Sequence, residues 1–96
     1  MMERPTLYYW AEVGPHAGKY TVAIDYDTIH QIGGLLFKSE ITAVGMETLL
    51  PIVKALYNSL KDNGYMPVSV NGQPNGMGRK LSWNEEQQVL QALKGK

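Results

Sequence analysis

The sequence predicts an α+β fold, a mainly antiparallel sheet in the order β-β-β-α-β-α with two helices packed on one face. Three observations lead there. Residues 6–13 and 20–26, rich in aromatic and β-branched side chains, each divide into two alternating faces on either side of a Gly-Pro turn. Residues 46–62 carry an apolar stripe at helical spacing. Ser82 and Glu85 have the spacing of a capping box and open a second apolar helical pattern. With 96 residues, a single small domain over 1–96 with one core is expected.

In the first strand, Leu7, Tyr9, Ala11 and Val13 share one face, while Tyr8, Trp10 and Glu12 share the other. The segment Gly14-Pro15-His16-Ala17-Gly18 is turn chemistry. Beyond it Tyr20, Val22, Ile24 and Tyr26 alternate with Thr21, Ala23 and Asp25, so the two strands form an antiparallel hairpin. Residues 27–44 leave strand and helix both open. Gly33-Gly34 weakens a helix over 28–32, while Leu35-Leu36-Phe37 suits a third strand at about 35–42.

Leu49, Ile52, Val53, Leu56, Tyr57 and Leu60 then recur on one helical face. Pro51 fits that helix only in its first turn, which makes Glu47 or Thr48 the expected cap. Asn63-Gly64 supplies the stop. Residues 65–70 read as a short strand, 71–80 as a glycine-rich loop, and the last helix buries Trp83, Val89, Leu90 and Leu93.

Nine Lys plus Arg balance nine Asp plus Glu, and no cysteine is present. The missing thiols remove disulfides, thiolate metal sites and thiol nucleophiles. Zero net charge argues against a protein that coats DNA. The balance is uneven along the chain: residues 1–63 carry five basic and seven acidic side chains, residues 64–96 four and two. Met1 to Pro5 lead into no secretory apolar core, and no run reaches the ~18 apolar residues of a membrane span. A soluble, cytoplasmic protein without membrane contact is expected.

Four features are candidates for function. Gly14-Pro15-His16-Ala17-Gly18-Lys19 fails as a phosphate loop, because three residues separate its glycines instead of four and Tyr20 follows the lysine. It reads as a hairpin turn. Asp25 and Asp27 share a strand face, and with His30 they form a weak candidate for a hard-cation site; turn hydrogen bonding and solvation are the commoner reason for such residues where a chain leaves a strand. Neither histidine stands in a nucleophile motif, so no catalytic residue is assigned and no cofactor is expected.

Loop 71–80 includes Asn75 and ends in Arg79 and Lys80. Its glycines let backbone approach a partner, and two adjacent cations before a helix N-terminus suit a phosphate or carboxylate. The bland alternative is a flexible connector. Six Tyr and two Trp against one Phe favour side chains with a polar handle. Tyr8 and Trp10 project opposite Leu7 and Tyr9, where they either form an open contact surface or pack beneath a loop.

The leading expectation is a non-enzymatic protein-binding module, an inhibitor or adaptor, using Tyr8, Trp10, Asn75, Arg79 and Lys80. Phage-encoded inhibitors of host defence are often small, neutral and cysteine-free, which is an analogy of class alone. The alternative is weak binding of nucleic acid or a phosphate ligand through the basic loop. A small metal-dependent hydrolase at Asp25, Asp27 and His30 stands third. Open sheet edges also permit a homo-oligomer.

Overall fold

Three consecutive aromatic residues, Tyr8, Tyr9 and Trp10, favour extended backbone, and they lie at the centre of the first strand. The computed structural model describes residues 4–27, 36–73, 76 and 78–94. Along the chain come β1 (Thr6–Ala11), a 3-10 turn (Gly14–His16), β2 (Lys19–Asp27), β3 (Leu36–Val44), α1 (Met46–Asp62), β4 (Val68–Asn71) and α2 (Trp83–Lys94). The 3-10 turn, absent from the expected order, shortens the first strand. The strand ends at Ala11 rather than Val13, and the Glu12 N–H closes the hairpin on the Lys19 carbonyl at 2.9 Å.

The sheet is mainly antiparallel, as expected, but one of its three pairings is parallel, which makes it mixed. Its spatial order is β3-β2-β1-β4, with β1–β2 and β2–β3 antiparallel and β1–β4 parallel. The cause is α1, whose 17 residues span about 25 Å at 1.5 Å each. A helical crossover returns the chain in its starting direction. Since β3 and β1 both run opposite to β2, a strand that leaves α1 parallel to β3 lies parallel to β1.

Element boundaries follow local hydrogen bonding. β3 continues past the expected residue 42, because Ala43 and Val44 still pair with Tyr20 and Lys19. The expected strand start at Tyr65 is also corrected. The Tyr65 N–H bonds the Leu60 carbonyl at 2.9 Å and the Gly64 N–H bonds that of Lys61 at 3.0 Å, the paired closure of a helix C-terminus with left-handed Gly64. β4 therefore begins at Val68.

The cap of α1 is Gly45, not Glu47 or Thr48. With φ +85° it adopts backbone that other residues rarely do, and its N–H is bonded to the Gly18 carbonyl at 3.0 Å. Pro51 thus sits inside the helix rather than in its first turn, leaving the carbonyl of exposed Glu47 without its helical donor.

One face of the sheet forms the core. Leu7, Tyr9 and Ala11 of β1 and Val22 and Ile24 of β2 meet Leu49 and Val53 of α1, Val89 of α2, and Leu81. Both helices thus bury their stripes on the same face. Leu56, Tyr57 and Leu60 complete the α1 stripe as partly buried neighbours. The capping box of α2 is formed as expected, with Ser82 N–H to Glu85 Oε1 at 2.8 Å and Glu85 N–H to Ser82 Oγ at 3.3 Å. Trp83 departs from the expected stripe: it is 72% exposed. Among the described residues no helix is long and apolar enough to cross a membrane.

Candidate functional site

The segment between β4 and α2 is tied to the end of β1 by backbone and side chain together. Gly72 N–H bonds the Tyr9 carbonyl at 2.9 Å. Ala11 and Arg79 exchange both backbone hydrogen bonds, each 2.9 Å, in an antiparallel bridge. Asn71 spans the mouth of the loop. Its Nδ2 donates to the Leu81 carbonyl at 3.2 Å and its Oδ1 accepts the Leu81 N–H at 3.0 Å. An amide side chain offers one donor group and one acceptor, so this reciprocal pair matches the backbone it holds.

That fastening explains Trp10. A Cβ built on Gly78 would lie 2.7 Å from Trp10 Cδ1, so glycine backbone lies against the indole. Trp10 is 5% exposed. The open-surface alternative is corrected at Trp10, which packs beneath the loop; Tyr8, two residues away, is half-buried.

Arg79 is committed as well. Its Nη1 and Nη2 donate to Glu85 Oε1 and Oε2 at 3.0 and 3.2 Å, and Nη1 also reaches the Lys80 carbonyl at 3.0 Å. Glu85 further accepts the Tyr20 hydroxyl at 2.8 Å and the Ser82 N–H. One carboxylate therefore joins β2, the loop end and the start of α2. The Arg79 hydrogen bonds, with those of Ser82 and Tyr20, hold the Glu85 carboxyl down at about 2, against the opposing effect of burial. Hydrogen bonding to Glu85, more than burial, pushes the Tyr20 phenol up. The expected two-cation pair is thus reduced, since Arg79 is neutralised locally while Lys80 remains exposed with its stem along Gly72. The cleft bounded by Gly72, Gln73, Gly76, Gly78, Arg79 and Lys80 holds about 240 Å³, below the ~300 Å³ at which ligand pockets begin.

The fold does not assemble the other candidates around this loop. Asp25 lies on the sheet face opposite Leu7, and its Oδ1 is buried without a hydrogen-bond partner. Asp27 ends β2, and its side chain lies outside the described residues, as do His30 and Asn75. Among the described residues no three His, Cys, Asp or Glu side chains are grouped to hold a metal. His16 is exposed in the 3-10 turn.

No family model, curated protein or solved structure matches this chain. The residue that sequence reasoning misplaced is Trp83, the most exposed of the large apolar side chains described. Helical spacing did not reveal it: at about 100° per residue Trp83 lies roughly 120° from Val89 but only about 20° from Leu90, at the edge of the expected stripe.

Proposed function

We propose that this chain is a non-enzymatic protein-binding module, an inhibitor or adaptor, whose contact is centred on Trp83 with Lys80 at its rim. The observation that carries the reading is the 72% exposure of Trp83 at the first residue of α2. Leaving so large an apolar ring in water gives up stabilisation that burial would provide. Tryptophan is also the side chain most enriched among the residues that dominate protein interfaces.

Its setting supports the same reading. The helix start beneath Trp83 is fixed by the Ser82–Glu85 capping box and by the two Arg79–Glu85 hydrogen bonds. A partner that closes on Trp83 therefore meets backbone already ordered, which lowers the entropic cost of association. Lys80 and the basic balance of residues 64–96 favour an apolar pocket with an acidic edge on the partner. Arg79 takes no direct part; it positions α2 through Glu85.

The test is affinity capture with the tagged chain and its Trp83→Ala variant. The variant loses the captured protein while its melting temperature stays within about 3 °C of wild type, as for an exposed position. Equal capture by both proteins removes Trp83 from the interface and the proposal with it.

A further inference from the structure

We infer that β4 is a self-pairing edge, through which two copies of this chain join their sheets antiparallel about a two-fold axis at Val70. β4 is one of the two outer strands of the sheet. Its inner side is fully used, with the Val68 N–H on the Pro5 carbonyl and the Gly72 N–H on the Tyr9 carbonyl, each 2.9 Å. Because backbone groups alternate sides along a strand, those of Ser69 and Asn71 face away from β1. A row of such groups is a template for another strand.

Charge selects a second copy as the occupant. Residues 63–78 contain no charged side chain, so two β4 edges approach without like-charge repulsion and without stripping water from an ion. The opposite edge differs. β3 carries exposed Glu40, the kind of residue that protects an edge against pairing. One open and one guarded edge per copy make an assembly that stops at two.

Pro67 and the end of β4 at Asn71 together fix the register. Ser69 opposite its own symmetry mate would pair Asn71 with Pro67, which has no N–H to give. Ser69 opposite Asn71 of the second copy uses every outward group, four hydrogen bonds in all by the alternation of an antiparallel ladder. Val70 then faces Val70 across the axis. Val68 and Val70 are 42% and 37% exposed on the sheet face that holds Tyr8, so pairing merges two apolar patches. An edge this short lies below the standard size of stable interfaces, so the dimer is weak and concentration-dependent.

Sedimentation equilibrium over a wide concentration range reads the outcome. The wild-type mass rises toward twice the monomer, Val70→Lys and Val70→Glu each stay monomeric, and their equimolar mixture recovers the dimer through opposite charges at the axis. Ser69→Pro removes an outward N–H while leaving the valines in place, and it too stays monomeric. This keeps the test sound if a charge at position 70 weakens folding. Trp83→Ala dimerises like wild type, because the edge does not depend on the interface proposed above. A wild-type chain that remains monomeric at every concentration overturns self-pairing and leaves the edge to a strand of another protein. A dimer that survives Ser69→Pro or both charged variants overturns it by placing the contact elsewhere.

Discussion

Gly78 lies against the indole of Trp10 so closely that an added Cβ would stand 2.7 Å from Trp10 Cδ1 and 2.8 Å from the Ala11 carbonyl oxygen. The backbone there has φ +81°. Gly78→Ala therefore meets both a steric clash and a left-handed conformation, and destabilises by on the order of 1–3 kcal/mol. Gly76 shares the positive φ but has nothing within 4 Å of a built Cβ. Gly76→Ala costs only the conformational part, roughly 1–2 kcal/mol. Urea unfolding of the two variants side by side measures the excess that belongs to the contact with Trp10 and the Ala11 carbonyl.

Glu85 confers an acid sensitivity of known sign. Its carboxyl titrates at about 2 when folded and near the ordinary 4.5 when unfolded. A depressed folded value means that the contribution is complete above about pH 4.5 and is lost as pH falls toward 2. Glu85→Gln is less stable than wild type at neutral pH by about 1–2 kcal/mol, from weakened capping and ion pairing, and the difference shrinks through that window. Thermal melts from pH 7 down to pH 2 measure it.

Asn71 holds the loop closed by giving and accepting one hydrogen bond with Leu81. Asn71→Asp keeps the acceptor but sets a second oxygen against the Leu81 carbonyl. The expected cost is about 1–3 kcal/mol, concentrated in the loop. Faster amide exchange at Leu81 and Arg79, with the α1 amides unchanged, is the signature.

The two tryptophans separate cleanly by environment. Trp10 is 5% exposed and Trp83 72% exposed. Trp10→Ala destabilises by about 3–5 kcal/mol, whereas Trp83→Ala changes stability by less than about 0.5 kcal/mol. In fluorescence, Trp83→Phe leaves a blue-shifted emission that iodide barely quenches, and Trp10→Phe leaves a red-shifted, readily quenched one.

What was legible in the sequence was local. The hairpin of β1 and β2, the apolar stripe from Leu49 to Leu60 and the Ser82–Glu85 capping box depend on neighbours within a few residues, and all three formed. The parallel pairing of β4 was less legible, because alternation reports which face a residue takes and not which strand lies beside it. The fate of the loop was hidden for the same reason. Trp10 and Gly78, or Tyr20 and Glu85, meet only after the chain has folded, so Trp10 reads as a surface candidate and Arg79 as a free cation until Gly78 and Glu85 are seen beside them.

The decisive measurement is retention on immobilised wild type and Trp83→Ala after nuclease digestion, washed at 50 mM and at about 500 mM salt, concentrations that separate phosphate contacts from apolar ones. A protein-binding module anchored by Trp83 retains a protein on the wild type at both salts and loses it from the variant at both. Retained material that is nucleic acid and washes away as salt rises, or a protein held equally by the variant, would contradict that reading.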